Sequence, residues 1–184
     1  MKTLFITFLM SFALSSVVSG QSYKDGKEYK AQNNTYKCKY DTYKDFHYFE
    51  FSNTKNVLEN MNSGIRGYSS KSPVVESKRK VLELLYDVYG GNEKMQAMGV
   101  EVIDLYFYVG MDYKAKELKI TISSDTKYPK TTIFQVESIE NLLKEHIRFI
   151  FERESPLYRD ALYETMSFYP LTISEIPELL EKTP

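Results

Sequence analysis

The chain is poor in the residues that staple or specialise a small protein. Its 184 residues include one cysteine, no tryptophan and two histidines. A single Cys38 excludes an internal disulfide, so stability must come from a hydrophobic core, as it can at this length. Cys38 alternates with Tyr36 and Tyr40, the placement of a small buried strand residue. A nucleophile or an intermolecular disulfide are the sharper alternatives, but neither histidine stands near it at a recognisable spacing. His47 and His146 fit neither H-x-x-x-H nor H-E-x-x-H, so no metal or cofactor is expected. Charge of one sign is lacking too. Lys+Arg number 24 against 25 Asp+Glu, a formal charge of −1 with the signs well mixed. Without a basic patch, nucleic acid is not expected as a partner.

Catalytic signatures are equally scarce. No G-x-S-x-G elbow is present, and Gly90-Gly91 is neither preceded by a strand nor followed by Gly-Lys-Ser/Thr. Ser-x-x-Lys occurs at Ser52/Lys55, Ser77/Lys80 and Ser124/Lys127, as chance allows in a chain rich in both residues. Glu101 and Asp104 are the sole close acidic pair on an expected strand. A glycosidase needs two facing carboxylates about 5–9 Å apart across a cleft. No catalytic residue is assigned, and the reading leans away from an enzyme.

Long hydrophobic runs are confined to the start. Lys2 gives a positive n-region, and residues 4–18 carry no polar group larger than Ser or Thr. Val18-Ser19-Gly20 then offers small residues ahead of Gln21, so cleavage of a secretory signal is expected between Gly20 and Gln21. The alternative is an uncleaved anchor, for which some fifteen apolar residues are short of the roughly 20 that span a bilayer. Removal of 1–20 takes with it Lys2 and makes the chain one unit more negative. With no later run long enough to span, and no Cys at the cleavage point to carry lipid, residues 21–184 are expected as one exported domain, periplasmic or extracellular.

What the chain does have is a core: 42% of its residues are hydrophobic, and 16 Tyr and 11 Phe stand among them. Residues 99–151 organise it. Ile103, Leu105, Phe107 and Val109 share one face at period 2, with Val102, Asp104, Tyr106 and Tyr108 on the other. Gly110 to Lys114 turns the chain, and Leu118, Ile120 and Ile122 alternate with Glu117, Lys119 and Thr121 on the return strand. Val136, Ile139, Leu142, Leu143, Ile147 and Ile150 then recur at helical spacing, with Glu137, Glu140, Lys144 and Glu145 opposite them. Whether 147–151 continues this helix or becomes a strand stays open, since a short apolar run fits both.

Elsewhere, Thr35 to Asp41 and Phe46 to Phe51 predict a second hairpin. Its Tyr/Lys alternation fits a half-buried sheet whose lysines discourage edge pairing. Residues 52–73 read as a connector with one helical turn near 56–61. Ser72-Pro73 predicts the start of a helix carrying Val74, Val75, Val81, Leu82, Leu85, Val88 and Tyr89 inward, stopped by Gly90-Gly91. Ser155-Pro156 marks a turn. A strand at 166–169 is held at an edge or ended by Pro170, and 174–182 closes the chain as a short helix.

The stretch from Gly99 through Phe107, Tyr108, Val109, Asp112, Leu118, Ile120 and Ile122 into the following helix resembles the C-terminal domain of TonB-type periplasmic energy transducers. Tyr113 stands where that family has a glycine after the turn Asp. The resemblance implies a sheet edge that pairs with an extended peptide. In size and style the chain also resembles small exported proteins of unknown function from Gram-negative bacteria. Together these readings predict an α+β fold, an antiparallel sheet of four to six strands with two main helices packed on one face. The expected function is a non-catalytic binding module in the cell envelope with a protein or peptide partner; the alternative is a small envelope enzyme acting on glycans through acidic residues assembled by the fold.

Overall fold

A computed structural model describes residues 20–61, 73–150 and 163–184. The signal segment up to residue 19, the connector 62–72 with Ser72, and the Ser155-Pro156 turn lie outside the described residues. The architecture is mixed α+β. Six strands form one antiparallel sheet: β1 (Glu28–Lys30), β2 (Thr35–Tyr43), β3 (Phe46–Asn53), β5 (Val102–Gly110), β6 (Ala115–Ser124) and β8 (Tyr163–Thr172). Their spatial order is β1-β2-β3-β6-β5-β8. A separate two-stranded ladder joins β4 (Val74–Val75) to β7 (Phe149–Ile150). The helices are α1 (Lys78–Tyr89), α2 (Asn92–Met98), α3 (Ile133–His146) and α4 (Ile176–Lys182).

The central hairpin forms as its alternation dictates. Ile103 faces Ile122, Leu105 faces Ile120 and Phe107 faces Leu118 across β5 and β6. Phe49 and Phe51 of β3 continue the same rows, as does Phe168 of β8. These side chains share one buried cluster with Val81, Leu82 and Leu85 of α1 and Val136, Ile139 and Leu143 of α3. At about 2 kcal/mol for each fully buried large aliphatic or aromatic side chain, this cluster is the main drive to fold. The turn between β5 and β6 places Tyr113 at φ 65, the left-handed region that glycine occupies without strain. Its backbone is tied on both sides, Tyr113 N–H donating to Gly110 O and Phe149 N–H to Tyr113 O, each at 3.0 Å.

Three expectations need correction. The helix predicted from Ser72-Pro73 starts at Lys78, where the Ser77 side chain accepts the Lys80 amide as N-cap. Val74 and Val75 instead pair with Ile150 and Phe149, because β-branched residues between a proline and a polar pair fit an extended segment. That pairing also decides the open question at 147–150. α3 ends at His146, Ile147 is extended, and Phe149–Ile150 is a strand. The last strand runs over ten residues rather than four, continuing past Pro170. α2 and β1 had no expectation at all: Asn92–Met98 is short, and Glu28–Lys30 lies in a polar segment with too few residues to show a period.

The third helix carries a larger surprise. Glu137 and Glu140, placed by periodicity on its outward side, are buried. Glu137 accepts the backbone N–H groups of Gln32 (2.9 Å), Asn33 (2.8 Å) and Asn34 (2.7 Å), in the turn between β1 and β2. Glu140 accepts Tyr36 Oη at 2.5 Å and Asn53 Nδ2 at 3.0 Å, and pairs with Lys144 at 3.3 Å. Two more buried glutamates act alike. Glu117 takes the amides of Val57 and Leu58, and Glu101 those of Lys130 and Thr131 together with Thr131 Oγ1. Glu137, Glu117 and Glu101 each tie down a loop, and Glu140 ties α3 to β2 and β3.

Replacing Glu137 by Ala strands three amides in a partly buried turn. Urea unfolding should show Glu137→Ala less stable by about 3 kcal/mol, as loss of charge-assisted hydrogen bonds and orphaned donors requires. Glu145→Ala, on an exposed side chain of the same helix, should stay within about 0.5 kcal/mol of the parent.

Candidate functional site

The sheet face that turns away from Ile103 and Phe107 is polar, and its rows follow from register. Glu50 of β3, Thr121 of β6 and Asp104 of β5 stand side by side. One row along, Ser52, Lys119, Tyr106 and Ser167 cross four strands. Lys119 is held between Glu59, with which it pairs, and Glu50 at 4.0 Å. Burial pulls its ammonium down, but the two carboxylates outweigh that and hold it above the usual lysine range. Tyr106, Tyr108 and Tyr163 run along the face in edge-on contact, with both centroid separations 5.4 Å. The 54–61 segment lies across this end. Tyr163 Oη is shared between Leu58 O and Met61 O, and Asn56 Nδ2 donates to Leu118 O at 3.2 Å.

Asp104 sits where the face meets β8. Ile103 opposes Leu171 and Leu105 opposes Phe168, so Tyr169 and Pro170 together face Asp104 as a β-bulge. Pro170 has no N–H to offer the ladder. Asp104 Oδ1 is buried without a hydrogen-bond partner among the described residues. Burial lifts its carboxyl above the usual aspartate range, offset in part by the Leu105 amide. The second carboxylate left in this state is Glu164, whose Oε1 is likewise unpartnered and whose carboxyl burial pushes up. Glu164 opposes Val109 in register and so shares the core-side face, opposite to Asp104. The two cannot act on one substrate atom. Glu101, the other half of the acidic pair legible in sequence, precedes β5 and turns to residues 130–131, so it does not join Asp104 either.

The two edges of the sheet differ. Beyond β1, the outer edge of β2 is closed residue by residue. Gly26 N–H donates to Cys38 O, Cys38 N–H to Lys27 O and Tyr40 N–H to Asp25 Oδ1, each at 2.9 Å. The opposite edge is β8, and no strand among the described residues pairs with its outer side. Ser167, Tyr169 and Pro170 on it are exposed.

The remaining sequence candidates lie apart from this face. Gln21 N–H donates to Pro129 O at 3.0 Å, and its Oε1 accepts Tyr23 Oη and the Ile133 amide at the start of α3. Gly20 touches the Tyr128 backbone so closely that a Cβ there would fall 2.1 Å from the carbonyl oxygen. His47 bonds Tyr40 Oη through Nδ1 at 2.7 Å, whereas His146 is exposed at the end of α3. Cys38 is fully buried, and burial with the nearby Asp25 and Glu50 pushes its thiol up to about 12. That is the thiol of a packing residue, not of a nucleophile. Among the described residues no three His, Cys, Asp or Glu side chains gather to hold a metal, and no helix is long and apolar enough to cross a membrane. Sequence reasoning missed the bulge at Asp104. Its one visible sign was a proline inside an alternating strand.

The raised carboxyl of Asp104 sets a pH dependence. An acid whose folded pKa lies above its unfolded value destabilises the fold once it ionises, so stability falls as pH rises through that window. Asp104→Asn should therefore unfold at higher urea than the parent at pH 7. The difference should shrink as pH drops from the raised folded value toward about 3.9 and vanish below it, where the unfolded aspartate is also protonated. Equal midpoints for the two proteins at pH 7 would show that Asp104 is paired in solution.

No family model matches the chain, and a search of curated proteins finds no significant match. Among solved structures, the chain is similar to the crystal structure of a DUF5043 family protein from Bacteroides uniformis ATCC 8492. The two share 15% sequence identity and superpose with a TM-score of 0.60, over 82% of this chain and 88% of that one. At that identity the likeness shows a common fold and no more.

Proposed function

We propose that residues 21–184 form an exported, non-catalytic binding module of the cell envelope, released by cleavage between Gly20 and Gln21, that pairs an extended peptide with the outer edge of β8. In this reading α1 and α3 cover the face bearing Ile103 and Phe107, and the polar face stays open beside the edge. The observation that carries it is the asymmetry of the two edges. One ends in the three-residue β1, with the rest of β2 closed by Asp25, Gly26 and Lys27, and the other presents a ten-residue strand with no partner among the described residues. A strand edge offers a row of main-chain donors and acceptors, and side chains alternating beside it select the sequence. The exposed Tyr169 and the half-buried Tyr106 supply amphipathic rings for that selection. The TonB-like pattern of residues 99–151 supports the same mode. The glycan-enzyme alternative draws no comparable support, because Asp104 and Glu164 lie on opposite faces of the sheet.

Selection from a phage-displayed random-peptide library tests this reading. Selected peptides should protect the amides of β8 from hydrogen exchange, and Ser167→Lys with Tyr169→Lys should weaken their binding by about tenfold, as charges on an edge disfavour pairing. Protection confined to another surface, or selection of no peptide at all, would overturn it.

A further inference from the structure

We propose that a cavity at the junction of α1, α2 and α3 binds a small apolar carboxylate, with the Lys94 ammonium as its counter-charge. The cavity has a volume of about 400 Å³ and lies at the helical layer, away from the β8 edge. Its walls are Val88 and Tyr89 from the end of α1 and Ala97 and Met98 from α2, and its charged lining residues are Lys94 and Lys130. No carboxylate lines it. At about 30 Å³ for each non-hydrogen atom, the share that water takes in the liquid, the space suits roughly a dozen atoms.

Both cations are placed by backbone geometry. Gly90 ends α1 at φ 79, and a Cβ at that position would lie 2.9 Å from Lys94 Cδ. The Lys94 stem therefore crosses the bare glycine and carries its ammonium to the rim. Among the described residues no hydrogen bond or ion pair engages that ammonium. Lys130 is committed differently. Its Nζ donates to Ala97 O at 2.6 Å and fixes the last turn of α2 as a wall. The first turn of α3 adds Thr132 and Gln135 to the lining, whose helix end favours negative charge. Glu101 feels the Lys130 charge, so Lys94 is the cation left for a ligand. Glu101 lies behind Thr131 and accepts the Lys130 and Thr131 amides. A compact, strongly hydrated anion would use the cations and leave the Val88 and Met98 wall bare. A neutral apolar molecule would do the reverse. A carboxylate on an apolar body satisfies both, which is the usual composition of a ligand site.

Octanoate is a suitable probe, titrated into the isotopically labelled protein and followed by amide chemical shifts. Saturable shifts centred on Val88, Gly90, Lys94 and Ala97 are expected, with 1-octanol and inorganic phosphate each binding at least about tenfold more weakly. Lys94→Glu, a change at an exposed side chain, should weaken octanoate by about tenfold or more while the thermal midpoint holds. The proposal falls if octanoate gives no saturable shift below about 10 mM, a range that already includes weak ligands. It also falls if the shifts centre elsewhere, if octanol or phosphate binds equally well, or if Lys94→Glu binds octanoate as the parent does.

Discussion

Buried carboxyl groups inside a small core are tolerable where several donors converge on each, and this fold places four glutamates under that condition. Moving a carboxylate out of water costs several kcal/mol even after relaxation. Each charge-assisted hydrogen bond returns about 1.5–3 kcal/mol, so one donor does not balance the loss and several are needed. Glu137 has three amides, Glu140 a phenol, an amide side chain and Lys144, and Glu117 two amides. At Glu101 desolvation still prevails over its donors and raises the carboxyl. Apart from Lys144, the donors come from residues 29 to 105 positions away along the chain. No clamp can therefore form until helix, sheet and loop have met. Such contacts contribute little to early collapse and much to the cooperativity of the final state.

This dependence explains what could be read from the sequence and what could not. The β5–β6 hairpin was legible because one face is apolar at period 2 through eight residues, and no rival period fits Ile103, Leu105, Phe107 and Val109. The stop of α1 was legible because Gly90 solves a local steric problem. The start of α1 was not, since Ser72-Pro73 and Ser77 carry equally good local signals. The choice between them came from Val74 and Val75 finding Phe149 and Ile150 across the fold. The clamps were illegible for a related reason. Glu137 and Glu140 fall one position beyond Val136 and Ile139, where a helix borders its apolar stripe, and their partners Gln32 to Asn34 sit in a polar stretch without periodicity.

The candidate surface shows the reverse case, a place where polar groups are left over. Three phenols, Lys119 between two carboxylates and the 54–61 segment satisfy one another at one end of the polar face. At the other end the bulge at Tyr169 and Pro170 leaves Asp104 Oδ1 with no donor among the described residues. The ladder is interrupted at the same place, because Pro170 has no N–H to donate to the β5 backbone. The sequence displayed Asp104 and Pro170 plainly but not their adjacency, which exists only through the β5–β8 register.

Glu164 bears on how β8 can act as an edge. An inward-pointing charge on an outer strand is a known guard against indiscriminate edge pairing, since a shifted register would bury it elsewhere without relief. Pro170 guards the far end of the same strand by denying a continuous run of donors. Neither device forbids a partner whose register leaves Glu164 and the bulge as they are. Both penalise partners that need β8 to slip or flatten. Under the proposed peptide pairing, an edge that is open but register-locked would discriminate by alignment first and by side chain second, with specificity set by the β5–β8 ladder as much as by the residues it exposes.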